Sequence, residues 1–172
     1  MSATTERVTF KGSPLTLAGT LVSVGDTAPG FSALANDLSP VTLAALAGKV
    51  AVVFSVPSLD TAVCDVETRR FNQEAVKLSP AVEVWCISMD LPFAQARWCG
   101  ASGVERVRTA SDHRDASFGL AYGVLVKELR LLARAVFVID KAGKVAYKQL
   151  VPEITAEPDY AAAVQAVTKL VY

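Results

Sequence analysis

The chain has 172 residues, with 17 Lys and Arg balanced by 17 Asp and Glu, and 52% of it is hydrophobic. That length and apolar content suit one globular domain, expected to span residues 1–172. The zero formal charge argues against a nucleic-acid partner and against charge-driven membrane binding, and no apolar run reaches the ~20 residues of a spanning helix.

In chain order, Arg7–Phe10 and Leu15–Ala18 read as short strands around the turn Gly12-Ser13-Pro14, an N-terminal β-hairpin. Leu43–Leu46 reads as a helical turn stopped by Gly48. Val50–Ser55 is a near-continuous apolar run, as in a strand buried on both faces. A turn at Pro57-Ser58 follows, then a helical pattern to about Leu78. Val82–Ser88 is a second buried strand, and Pro92–Cys99 a short helix ended by Gly100. A weaker strand lies near Val107–Thr109 and a helical stretch at Ala116–Tyr122. Ala135–Asp140 and Val145–Gln149 flank Lys141–Lys144 as a hairpin, and an alanine-rich helix runs from Asp159 to Lys169 after Pro158. This order describes an α/β domain with a mixed central sheet flanked by helices, an order that the thioredoxin fold shares.

Three cysteines, Cys64, Cys86 and Cys99, make a poor disulfide framework, since one is left over. There is no CxxC pair, and with His113 the three lack the close paired spacing of a structural zinc site, so no metal is expected. Met1–Glu6 lacks the charged start and apolar run of a signal peptide, and the cytoplasm is the expected compartment. In a reducing compartment a disulfide is more often transient and catalytic than structural.

The chemistry concentrates in Pro57–Cys64, where a buried strand ends, Pro57 turns the chain and a helix begins. Asp60 or Thr61 can serve as N-cap. Either places Cys64 in the first helical turn, where free N–H groups and the helix dipole favour negative charge, and a thiolate is the reactive form of cysteine. The Thr61 hydroxyl lies close enough in sequence to approach the sulfur. The plainer reading leaves Thr61 as a cap and Cys64 as a small buried hydrophobe.

Pro57, Thr61 and Cys64 match the P-x-x-x-T-x-x-C signature of peroxiredoxins. The wider set resembles the thiol peroxidase subfamily: Asp37–Ser39, Pro57–Thr61, Arg70–Asn72, Ser88–Gln95, Trp98–Gly100, Ala133–Val136 and Glu153–Tyr160. The resemblance runs nearly end to end. It implies a thioredoxin-like fold and reduction of hydrogen peroxide and alkyl hydroperoxides, with Cys64 as the peroxidatic nucleophile passing through a sulfenic acid. It further implies that Thr61 binds the peroxide, that Arg134 stabilises the developing charge and that Pro57 shields the sulfur. Arg130 is a lower-ranked alternative to Arg134, which on its own reads as a surface arginine. Cys99 corresponds to the resolving cysteine that forms an intramolecular disulfide with Cys64, a step requiring local unwinding; otherwise it is an inert helix-end thiol. Cys86, mid-strand, reads as core. Thioredoxin as reductant, no bound cofactor, and a homodimer through the loops Leu91–Phe93 and Asp112–Arg114 complete the implied picture. Two rivals remain at this level: a Cys64–His113 hydrolase, and a redox-inert thioredoxin-fold interaction module.

Overall fold

The computed structural model describes residues 6–172. Residues 1–5, part of the segment lacking a signal-peptide pattern, lie outside the described residues. The framework is a mixed seven-stranded sheet. At its centre β6 (Ala51–Ser55), β7 (Glu83–Ser88) and β8 (Arg108–Ser111) run parallel, in register Phe54↔Cys86↔Thr109. On one side β11 (Ala135–Ile139) pairs antiparallel with β6, and β12 (Val145–Leu150) closes that edge. On the other, β4 (Ser32–Leu34) and β5 (Pro40–Thr42) form an antiparallel edge hairpin. Every residue of β6 and β11 is buried, which explains why both read as unbroken apolar runs.

Side chains alternate across the sheet and divide the core in two. Val53, Trp85, Ile87 and Phe137 join one cluster with Phe31, Phe118 and Tyr122. Val52, Phe54, Val84, Cys86 and Val136 join the other. The second layer is covered by α1 (Ala62–Lys77) and α4 (Tyr160–Val171), which contribute Cys64, Phe71, Ala75, Ala163 and Val167. The buried positions of α1 are Cys64, Glu67, Thr68, Phe71 and Ala75, a 3–4 spacing that turns one stripe of the helix to the sheet. Helix α2 (Pro92–Ser102) lies beside α1, and α3 (Ser117–Tyr122) packs in the first layer. Asp159 caps α4 by accepting from Ala162 N at 3.0 Å.

The expected α/β order holds, with shifts at several boundaries. The N-terminal hairpin pairs β1 (Val8–Phe10) with β2 (Ser13–Leu15), not with Leu15–Ala18. The turn is Lys11-Gly12, both at positive φ, as a two-residue type I′ turn requires. Leu17–Ala18 is a separate strand, β3, in a three-stranded sheet with β9 (Leu125–Val126) and β10 (Leu131–Leu132). Helix α2 continues through Gly100 and stops at Gly103, whose φ of 68° suits the left-handed cap. Strands β4, β5, β9 and β10 are two or three residues long, too short for periodicity to reveal.

Candidate active site

Val56 N donates to the Ile87 carbonyl at 3.1 Å as β6 ends, and the chain turns at the buried Pro57. Asp90, just past β7, anchors the loop. Its carboxylate accepts from the Ser58 hydroxyl at 2.7 Å, the Leu59 amide at 2.8 Å and the Ser88 hydroxyl at 2.7 Å. The start of α1 is thereby tied to the end of the neighbouring parallel strand. Thr61 is the N-cap, so Cys64 occupies the third helical position, as the sequence suggests. The exposed Thr61 hydroxyl does not cap the helix; it donates back to the Ser58 carbonyl at 2.9 Å, leaving its oxygen lone pairs free to accept.

Cys64 is fully buried. Arg134, itself 1% exposed, donates from Nη2 to its sulfur at 3.3 Å. Every other arm of the guanidinium is engaged. Nε and Nη2 donate to the Ile154 carbonyl at 3.1 and 2.7 Å, and Nη1 donates to Glu67. The backbone beside it is equally fixed: the Ala133 carbonyl accepts from Ser55 Oγ at 2.7 Å and the Arg134 carbonyl from Val151 N at 2.9 Å. A buried guanidinium costs several kcal/mol unless it is paired and hydrogen-bonded throughout, as it is here. Arg130, by contrast, is exposed in the turn between β9 and β10.

Glu67 is the site residue that the sequence reading passed over. It lies one turn beyond Cys64 on the same buried stripe and is fully buried. One carboxylate oxygen pairs with Arg134, while Oε1 has no hydrogen-bond partner. Burial pushes its carboxyl up to about 7, against the opposing pull of Arg134. The available signal was a charged residue at a position where the helical spacing calls for an apolar one.

Neither of the other two cysteines is hydrogen-bonded to Arg134, and all three thiols are free. The Cys86 sulfur lies 3.8 Å from Thr68 Oγ1, whose hydroxyl donates to the Cys64 carbonyl at 2.8 Å. Cys99, half-buried on α2, lies 3.6 Å from Thr109 Oγ1 and lines an open cleft of about 560 Å³ with Trp85, Asn36 and Thr109. Helices α1 and α2 are joined by residues next to the two thiols: Trp98 Nε1 donates to Asp65 Oδ1 at 2.8 Å, and Arg69 lies over the Trp98 ring. His113 Nδ1 is 2.9 Å from the Ser111 hydroxyl. Asp112 is turned inward, accepting from Phe118 N and Gly119 N at the start of α3, so only Arg114 of the loop Asp112–Arg114 is exposed. Leu91 and Phe93 project into solvent at 52% and 66% exposure. Among the described residues, no helix is long and apolar enough to cross a membrane, and no group of three His, Cys, Asp or Glu is placed to hold a metal ion.

Comparison with known proteins agrees with this architecture. Residues 23–164 match the family described as Redoxin. A thiol peroxidase of Bacillus subtilis (strain 168) is 57% identical over 164 residues, covering 95% of this chain and 98% of the relative. The crystal structure of a peroxiredoxin-like protein from Aquifex aeolicus superposes with a TM-score of 0.91 at 46% identity, covering 96% of this chain and 98% of that one. The thiol peroxidase from Chromobacterium violaceum, at 20% identity, shares the fold with a TM-score of 0.85, over 96% of this chain and 97% of its own. The chain belongs to the thiol peroxidase family, peroxiredoxin-type peroxidases within the wider Redoxin family.

Proposed function

We propose that this thiol peroxidase reduces hydrogen peroxide and alkyl hydroperoxides through Cys64 and is recycled by thioredoxin. The observation that carries the reading is the Arg134 Nη2 hydrogen bond to the Cys64 sulfur, 3.3 Å long, at the first turn of α1. A guanidinium and free helix N–H groups around one sulfur favour negative charge there. The thiolate attacks the terminal oxygen of ROOH. The S–O bond forms as the O–O bond breaks, and the departing RO⁻ takes a proton to leave as ROH. Sulfur ends as the sulfenic acid, the reversible first step of cysteine oxidation. Charge spreads over sulfur and two oxygens in the transition state, and Arg134 is already oriented to receive it without reorganisation. Thr61, its hydrogen committed to Ser58, accepts from the peroxide O–H. Pro57, buried where the loop leaves β6, excludes water from the sulfur.

Cys99 then attacks the sulfenic sulfur, releasing water and forming the Cys64–Cys99 disulfide. That bond needs Cα atoms within ~7 Å, so the first turn of α1 and the Cys99 segment of α2 unwind to meet. A dithiol of thioredoxin reduces the disulfide by exchange and becomes oxidised itself. The protein acts as one domain in the cytoplasm, as a homodimer through the exposed Leu91 and Phe93 and the loop at Arg114.

The test is a thioredoxin-coupled assay of hydrogen peroxide against an alkyl hydroperoxide, with mass spectrometry after one equivalent of oxidant. Consumption of both peroxides and a Cys64–Cys99 link are expected. Consumption that survives Cys64→Ser, or an oxidised protein linked through Cys86, overturns the assignment.

A further inference from the structure

The contacts of Arg134 pose a question of charge. One guanidinium serves two buried acidic groups, the Cys64 sulfur at Nη2 and the Glu67 carboxyl at Nη1. Other titratable groups approach Glu67 from each neighbouring element. Cys86 approaches from β7, and its neutral thiol supplies no charge. Glu157 approaches from the loop before α4, exposed and accepting from the Tyr160 hydroxyl at 2.8 Å. Tyr160 approaches from α4 itself, with Arg70 stacked over its ring. Arg134 is the one cation that touches Glu67 among the described residues. A thiolate and a carboxylate together therefore leave the buried cluster with an excess negative charge, and Oε1 of Glu67 has no donor to offset it.

We propose that Glu67 is a positioning residue that shares Arg134 with Cys64, so that a proton on its carboxyl releases the guanidinium charge to the sulfur and loss of that proton withdraws it. The inference rests on Cys64 as the reacting thiol. With Glu67 neutral, Arg134 is still held by the Ile154 carbonyl and by the carboxyl oxygen, and its charge faces the sulfur undivided. With Glu67 ionised the hydrogen bonds persist, but the carboxylate competes with the sulfur for the guanidinium charge. Burial holds the carboxyl protonated up to about 7, which puts the exchange within the range of ordinary working conditions. Glu67 touches neither peroxide nor sulfur and acts only through Arg134.

Two measurements test this. The first compares the rate of thiol oxidation by hydrogen peroxide in wild type and Glu67→Gln between pH 6 and pH 8. The amide keeps an acceptor for Arg134 but cannot ionise, so the ratio of variant to wild-type rate is expected to rise about three- to tenfold across that interval. Glu67→Asp restores a carboxylate and is expected to restore the wild-type slope. A ratio constant within about twofold, or one that falls with pH, overturns the inference. The second follows the Glu67 carboxyl by ¹³C NMR and leaves Glu67 itself unsubstituted. By reciprocity of coupled sites, Cys64→Ser removes the competing negative charge and is expected to move the Glu67 titration down by about one pH unit. An unmoved titration overturns the inference. If Cys64→Ser leaves peroxide consumption intact, the peroxidatic reading itself fails. If it abolishes consumption while the pH slopes stay parallel, only the role of Glu67 fails.

Discussion

Cys64 and Cys86 are equally buried and belong to the same apolar cluster beneath α1 and α4, yet their surroundings differ. Cys86 meets a threonine hydroxyl and the packed side chains of the parallel strands. Burial, aided by the nearby Glu67, pushes its thiol well above the ordinary range. Cys64 meets a guanidinium and lies at a helix start. Depth in the core therefore does not distinguish the two cysteines; the charge placed beside the sulfur does. The same Thr68 hydroxyl contacts the Cys64 carbonyl and the Cys86 sulfur, so the two environments are separated by a single side chain.

The sharpest way to break this contrast is to remove each sulfur in turn. Cys64→Ser is expected to cut peroxide consumption by about a thousandfold or more, because a hydroxyl in that place is a far weaker nucleophile. Cys86→Ala is expected to leave the rate within about twofold and to cost ~1–2 kcal/mol in urea unfolding for the small void it opens. Equal effects of the two in the coupled assay would remove the distinction. The next largest effect belongs to the cation. Arg134→Met is expected to lower the rate of Cys64 oxidation by about 10²–10³-fold, the range for losing an oriented donor to developing charge. It also takes the hydrogen-bond donor from the buried Glu67 carboxyl, which burial then keeps neutral, and that unsatisfied group is expected to cost ~1–3 kcal/mol of stability. A variant that keeps its rate while losing stability would make Arg134 a structural residue only.

Some of this contrast is legible in the sequence and some is not. The strand, turn and helix around Pro57–Cys64 are encoded locally, by an unbroken apolar run, a proline and an N-cap threonine, so the position of Cys64 at a helix start follows from nearby residues. The two long parallel strands and the hairpin of β11 and β12 are legible for the same reason. Arg134 depends on tertiary contact: its partners Cys64, Glu67 and Ile154 lie far away in the chain, and only the family resemblance singled it out. Glu67 escaped because a charged residue in a helix reads as solvent-facing until the buried face is known. Asp90 escaped because two of its three partners, Ser58 and Leu59, lie in a loop more than thirty residues earlier in the chain. The true end of α2 was hidden by two glycines three residues apart; only the backbone shows that Gly103 takes the left-handed position.

Glu67 also offers a thermodynamic handle on the cluster. Its carboxyl titrates at about 7 in the folded protein, above its ordinary value of 4.5. The folded state therefore binds more protons than the unfolded state between those values. This contribution to stability is complete below about 4.5 and is lost as pH rises toward 7. Relative to Glu67→Gln, wild-type stability in urea is expected to decline over that window by on the order of 3 kcal/mol. The surface carboxyl of Glu153 works in the opposite direction: hydrogen bonds from Thr155, Gly12 and Thr9 hold it down to about 2, so its contribution is present above 4.5 and is lost as pH falls toward 2. Comparing the two variants, rather than reading one pH curve, isolates Glu67 from such groups.

The smallest expected effect concerns how the charged site and the half-buried Cys99 come together. Asp65 follows Cys64 and Trp98 precedes Cys99, and the indole N–H of one donates to the carboxylate of the other at 2.8 Å. The proposed unwinding that brings the two sulfurs together is expected to break this hydrogen bond and the contact of Arg69 with the indole. Trp98→Phe keeps an aromatic ring for Arg69 and removes only the N–H. Loss of one hydrogen bond to a charged acceptor is worth ~1.5 kcal/mol net, less where water can replace the donor, as at this half-exposed carboxylate. The variant is therefore expected to lose about 1 kcal/mol of stability in the reduced state. It is also expected to form the Cys64–Cys99 disulfide several-fold faster once Cys64 is oxidised, because the same bond no longer opposes unwinding. The two effects should have one cause. Faster closure without a loss of reduced-state stability would place the brake elsewhere, and slower closure would mean that the indole N–H assists the meeting of the two thiols rather than holding them apart.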